Sequence, residues 1–172
     1  LEIVRRWSLP IVIGALAVEA ARGSRTPFDA RIHAAGGHPA QADVASAYRE
    51  LLAHSQIEAS HAHCRKVQDP YSLRCQPQVM GACLQQIHAQ AAILCTEANG
   101  VTDNPLVFAD TGMVIHCGNF YGQQIAMVSD YMRMGLIKMA LLAERQIERL
   151  VNWRYSRGLP PLLAAGAPGL NT

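Results

Sequence analysis

Apolar residues recur along this chain at alternating spacings of four and three. Met80, Leu84, Ile87, Ala91, Leu94 and Ala98 follow that rhythm, which places them on one stripe of an α-helix. Pro77 has no backbone N–H to donate, so it belongs in a first turn, and the helix is expected to open near Gln76. Asn99-Gly100, where a left-handed residue costs little, is expected to close it. A second stripe comprises Ile125, Val128, Met132, Leu136, Met139, Ala143, Ile147 and Leu150. No proline interrupts the span from Phe120 to Val151, and a helix of that length would reach roughly 45 Å. Residues 136–143 are apolar nearly all round, as in a helix covered on several sides. A chain this short has few partners to cover it, which points to a bundle completed by other subunits or by further chain.

Weaker signals fill the rest. An Ala-rich helix is expected from Pro10 to about Ala21, followed by a loop over residues 23–40 with one turn of helix near Phe28. Ala40 to His54 reads as a helix presenting Val44, Ala47, Tyr48 and Leu51 on one face, and residues 55–74 read as polar and irregular. Asp110-Thr111-Gly112 has turn chemistry between two short apolar runs, so Leu106–Ala109 and Met113–His116 form a candidate hairpin. Beyond Gly158 the Pro-rich segments read as an extended crossing. The fold class is all-α, a long-helix bundle with at most one short β-hairpin, in a single domain over residues 1–172.

Composition narrows the function classes. Of 172 residues, 50% are hydrophobic and 16% charged, too apolar for a disordered chain. The net charge is +2 with Lys and Arg scattered, so nucleic acid is not the expected partner. The five cysteines form an odd set without the density of a secreted disulfide scaffold, and reduced thiols in a cytoplasmic protein are expected. Arg5-Arg6 and the apolar run from Leu9 to Val18 imitate a signal peptide, but Glu19 and Arg22 continue the helical pattern. No apolar run reaches the ~18 residues of a membrane span.

Two segments carry candidate chemistry. Tyr71 and Arg74 lie just before the helix start at Gln76, where exposed N–H groups and the helix dipole favour an anion. The planar fork of Arg74 can grip a carboxylate in two bonds, and the Tyr71 hydroxyl can exchange a proton in the same site. Equally, Arg74 can pair with a structural carboxylate and Tyr71 can cap a loop. In Gly118-Asn119-Phe120, Asn119 suits the N-cap of the long helix, and Phe120 suits either a core or the wall of a planar substrate site. His61, His63 and Cys64, with Cys75 and Cys83, offer zinc-type donors but lack paired Cys-x-x-Cys spacing, so no metal is expected.

Taken together, several motifs in register are far more specific than any one. Val67-Gln-Asp-Pro-Tyr-Ser-Leu-Arg-Cys-Gln-Pro-Gln-Val-Met-Gly81 resembles a segment of histidine ammonia-lyase and its aromatic amino acid lyase relatives. Glu97-Ala-Asn, Thr102-Asp-Asn-Pro-Leu106, Gly118-Asn-Phe120 and Ala143-Glu-Arg-Gln146 follow in the same order. Glu19 to Ser24, Thr26-Pro-Phe-Asp, Arg31-Ile-His33, Gly158-Leu-Pro-Pro and Gly169-Leu-Asn-Thr172 extend the resemblance over nearly the whole chain.

The resemblance implies a homotetramer of long central helices whose active sites combine several subunits. The reaction it implies is loss of ammonia from an aromatic L-amino acid to give a trans-2,3-unsaturated acid. Its electrophile is a methylidene-imidazolone (MIO) formed by cyclisation of an internal Ala-Ser-Gly. Carried over by position, Tyr71 acts near the amino group and the prosthetic group, and Arg74 binds the substrate carboxylate. Gln68 and Asn104 add polar contacts, and Phe120 lines the site. No Ala-Ser-Gly occurs in the 172 residues. The family's β-proton base and its later glutamate and glutamine positions are absent too, so the chain looks like the middle third of a subunit and is expected to be inactive alone. Histidine is the first expectation for substrate. Tyr121-Gly122-Gln123-Gln124 and Ala143-Glu-Arg-Gln146 lean instead towards tyrosine or phenylalanine lyases and 2,3-aminomutases.

Overall fold

A computed structural model describes residues 8–61, 63–64, 66–156, 158–164 and 166. Arg5-Arg6 and Gly169–Thr172 lie outside the described residues. Seven α-helices occur among the described residues: α1 Ser8–Ala20, α2 Ala30–Gly36, α3 Pro39–Leu51, α4 Gln56–Ser60, α5 Tyr71–Arg74, α6 Gln76–Asn99 and α7 Gln123–Val151. Strands β1 (Leu106–Phe108) and β2 (Met113–Ile115) pair antiparallel, with Leu106 opposite Ile115 and Phe108 opposite Met113. The fold is thus all-α with one small hairpin, as the periodicity implies.

The core lies where α1, α3, α5, α6 and α7 meet. Phe28, Val44, Tyr48, Leu73, Met80, Ile87 and Leu142 are buried in one cluster, and the Phe28 and Tyr48 rings meet at 4.7 Å between centroids. Helices α3 and α6 cross closely at Gly81, where a Cβ would lie 2.4 Å from the Gln41 Cα. The segment before α2 is tied to α3 by polar bonds. The Arg49 guanidinium donates to the Phe28 carbonyl at 2.8 Å, and Arg25 donates to Leu52 O and Ala53 O at the end of α3. His33 is buried between Pro27 O and Gln41 Nε2, each 3.0 Å from a ring nitrogen. A carbonyl only accepts, so Nε2 carries the proton and Nδ1 accepts from the Gln41 amide.

Several expectations need correction. The loop over 23–40 contains a full helix, α2, because Asp29 caps it by accepting from the Arg31 N–H. Residues 55–74 are less irregular than their polarity suggests, since Ser55 caps α4 through the Glu58 N–H and α5 forms one turn. On α3 the buried line is Ala40, Val44, Ala45 and Tyr48, continued by Leu52, while Leu51 is exposed. Gly100 is extended (φ −81°, ψ 163°) rather than left-handed. Asn119 does not cap α7, whose N-cap position is held by Gly122; its amide donates instead to Val101 O at 3.2 Å.

The long helix differs most. Val128, Leu142 and Gln146 are its buried residues, whereas Leu136, Ile137, Leu141 and Ile147 are all about half exposed. The seam used within the chain is therefore rotated from the apolar stripe. Helix α7 is apolar on more faces than this chain covers.

Candidate functional site

The Tyr71–Arg74 turn owes its shape to the proline that follows it. In a continuous helix the Leu73 carbonyl would accept from the N–H four residues on, which is Pro77 and has none. The Gln76 side chain supplies the missing donor, its Nε2 lying 3.1 Å from Leu73 O. Gln76 is fully buried. Its Oε1 accepts from the Tyr48 hydroxyl at 2.6 Å and from Gln146 Nε2 at 2.8 Å. Gln146 Nε2 also donates to Ser72 O at 3.1 Å. Both carbonyls of the turn interior are thus held from below by amides on α6 and α7. Burial among these partners pushes the Tyr48 hydroxyl well above its ordinary range, so it remains a proton donor.

Above this buried base stand the two side chains that sequence spacing singles out. The Arg74 guanidinium lies over the Tyr71 ring, 4.8 Å from its centroid, a cation–π contact. Arg74 Nε is buried without a hydrogen-bond partner, whereas the Tyr71 side chain is largely exposed. The structural alternative for Arg74, a pair with a protein carboxylate, does not occur among the described residues. A buried guanidinium nitrogen without an acceptor is poised for an anion brought by a ligand.

Arg74 and Gln68 line an open cavity of about 590 Å³, together with Arg22, Ser24, His61 and Asp69. Buried Asp69 shapes its wall by accepting from the Ser24 N–H at 2.6 Å and from the Lys66 ammonium. Asn104 and Phe120 do not line this cavity. They sit on the excursion from Val101 to Tyr121. There Asn104 Oδ1 accepts from the Cys117 N–H at 2.8 Å, closing the base of the hairpin, and Phe120 is exposed. Arg74 and Tyr71 are therefore brought together, Gln68 shares their cavity, and Asn104 and Phe120 stand apart within this chain.

The zinc-type donors do not assemble. Cys83 is buried towards α7 with its thiol 3.5 Å from Gly135 O, while Cys64 is exposed. Among the described residues no three His, Cys, Asp or Glu side chains cluster as a metal ion would require. All five cysteines are free thiols. Sequence reasoning missed the buried Tyr48–Gln76–Gln146 set. The signal available for it was Gln76 itself, a donor placed directly before a proline that leaves a carbonyl unserved.

The helical bundle thus presents an arginine–tyrosine pair on a braced turn beside an open cavity. The chain belongs to the aromatic amino acid lyase family, whose model matches residues 2–172. It is 54% identical over 153 residues to a protein named histidine ammonia-lyase from Pseudoalteromonas atlantica, covering 89% of this chain and 30% of that one. A histidine ammonia-lyase from Aromatoleum aromaticum is 53% identical over 95% of this chain and 30% of its own length. Among solved structures, Pantoea agglomerans phenylalanine aminomutase matches 98% of this chain and 36% of that chain, with a TM-score of 0.87 and 31% identity. Histidine ammonia-lyase from Trypanosoma cruzi matches 99% and 32%, with a TM-score of 0.83 and 38% identity. The chain spans about 30% of the length of the curated relatives it matches.

Proposed function

We propose that this chain is the central helical part of an ammonia-lyase subunit that removes ammonia from an aromatic L-amino acid, with histidine to urocanate as the first reading. The observation that carries the proposal is the Arg74 guanidinium, its Nε buried and without a protein acceptor, stacked on Tyr71. In this reading Arg74 binds the substrate carboxylate in a two-pronged contact and fixes where the α-carbon lies. The Tyr71 hydroxyl, exposed and on the same turn, exchanges a proton with the substrate amino group. Gln68 adds a polar contact from the cavity wall. The Nδ2 end of Asn104, whose Oδ1 is engaged by Cys117, offers two further donors. Phe120 presents an exposed aromatic face to a planar substrate.

The MIO group, when bound, supplies the electrophile that labilises the amino group. An exposed tyrosine hydroxyl, a carboxylate-ready arginine and an exposed phenylalanine suit work beside such a group. Its Ala-Ser-Gly source is not among these residues. Phe120 and Asn104 standing apart from Arg74 supports a site completed by other subunits, in a homotetramer. A cytoplasmic setting belongs to the same reading; among the described residues the five cysteines are free thiols and no helix is long and apolar enough to cross a membrane.

Histidine stands first because the histidine ammonia-lyase relatives reach 55% identity. Likeness to an aminomutase structure at a TM-score of 0.87, with the Ala143–Gln146 motif, favours a second reading as a tyrosine or phenylalanine lyase or 2,3-aminomutase. The test is product formation by the full-length subunit from L-histidine, L-tyrosine and L-phenylalanine, followed as urocanate, coumarate, cinnamate and β-amino acid. The isolated 172 residues should yield none. Arg74→Met in the full subunit should raise KM roughly 10- to 100-fold, the equivalent of one charge-assisted hydrogen bond. An unchanged KM would remove Arg74 from the carboxylate site.

A further inference from the structure

We infer that Gln146 on α7 is a positioning residue that sets the spacing of Arg74 and Tyr71 by holding the carbonyl between them; the inference rests on the lyase reading above. One amide nitrogen of Gln146 serves two acceptors, Ser72 O at 3.1 Å and Gln76 Oε1 at 2.8 Å. Ser72 directly follows Tyr71, and Leu73, whose carbonyl Gln76 holds, directly precedes Arg74. Both interior carbonyls of the turn are therefore fixed to side chains rather than left to the one-turn helix, which alone has too few internal bonds to be rigid.

The orientation of these amides is forced by chemistry. Ser72 O, Leu73 O and Gly14 O can only accept, and the Gln76 nitrogen faces the last two, Gly14 O at 3.4 Å. Gln76 Oε1 is then the acceptor left for the Tyr48 hydroxyl and the Gln146 amide. Neither glutamine can flip without setting like atoms against each other in a dry site, where unmade polar pairs are costly. Gln146 itself is buried and has no path to substrate, so it acts only through the turn.

The test uses the full-length subunit carrying Gln146→Met, which keeps volume and removes the donor. Ile87→Val serves as a control of comparable or smaller stability loss elsewhere in the core. A merely structural role lowers the folded fraction, so kcat falls while KM holds. A positioning role displaces Arg74, so KM for L-histidine or L-phenylalanine rises about tenfold or more in Gln146→Met, in line with loss of a buried hydrogen bond. Ile87→Val should leave KM within about twofold, as expected for a mild core deletion remote from the turn. Tyr48→Phe, a milder cut in the same set, should raise KM in the same direction if Gln146→Met fails to fold. A wild-type KM in Gln146→Met and in Tyr48→Phe, or an equal rise in Ile87→Val, overturns the inference. Amide hydrogen exchange across residues 71–75 separates the two readings. If the wild-type subunit releases no ammonia, the lyase proposal has failed. Faster exchange confined to that turn in Gln146→Met still supports the brace, and unchanged exchange refutes it.

Discussion

At the scale of single residues, this structure turns on groups that lack their usual partner. The Leu73 carbonyl lacks a backbone donor because Pro77 has none, and Gln76 answers it from the side. Arg74 Nε lacks an acceptor, and nothing among the described residues answers it. Asp29 is the opposite case. It takes two hydrogen bonds from the Arg31 guanidinium, at 2.9 and 2.7 Å, and one from the Arg31 N–H. The bonded guanidinium holds its carboxyl well below the usual carboxylate range. A carboxylate depressed in the folded state contributes stability above its unfolded value and loses it as pH falls through the folded one. Melting curves of wild type and Asp29→Ala should therefore differ at neutral pH and converge on acidification below the carboxylate range. A gap independent of pH would show that the cap acts without its charge. Tyr71 and Arg74 were legible because helix-start rules place them on one side of Pro77. The Arg74 vacancy was not legible, since which carboxylates approach a guanidinium is decided by distant segments.

At the scale of elements, α6 has the bounds its signature gives, Gln76 to Asn99, because a proline opens a strongly periodic run, although Gly100 ends it in an extended rather than a left-handed conformation. Helix α7 was legible in existence but not in orientation. Where most faces are apolar, periodicity does not choose the inner one, and contacts from α6 decide. Small helices such as α2 escaped because their stability comes from one cap and from burial of His33, not from a stripe. The α3–α6 crossing supplies a sharp prediction. Alanine favours a helix over glycine by about 1 kcal/mol. At Gly81, however, the new methyl would meet backbone atoms of Gln41 at 2.4 and 2.6 Å, which cannot swing aside. Overpacking of this kind costs about 1–3 kcal/mol, so Gly81→Ala should lower stability in denaturant titration despite its better propensity. Equal or higher stability would mean that the two helices can slide apart freely.

At the scale of the whole molecule, the apolar surface of α7 and the hairpin calls for cover. Leu136, Ile137, Leu141 and Ile147 are each about half exposed, as are Met113 and Val114, and Val107 is more exposed still. Exposed apolar side chains in such number suit an interface. In the proposed homotetramer, Leu136→Glu in the full subunit should shift sedimentation towards smaller species, because a buried unpaired carboxylate is costly. Retention of the tetramer would place the interface on another face of α7. Gln146 and Ser72 are 74 positions apart in sequence, yet one hydrogen bond joins them. The turn that carries Tyr71 and Arg74 is therefore not a local motif that the chain can form early and keep. It acquires its final geometry only after the longest helix has docked, across a closure of 74 positions. On the proposed lyase reading, competence to hold a carboxylate thus serves as a record of completed folding: a subunit whose long helix is misplaced would also fail to grip its substrate.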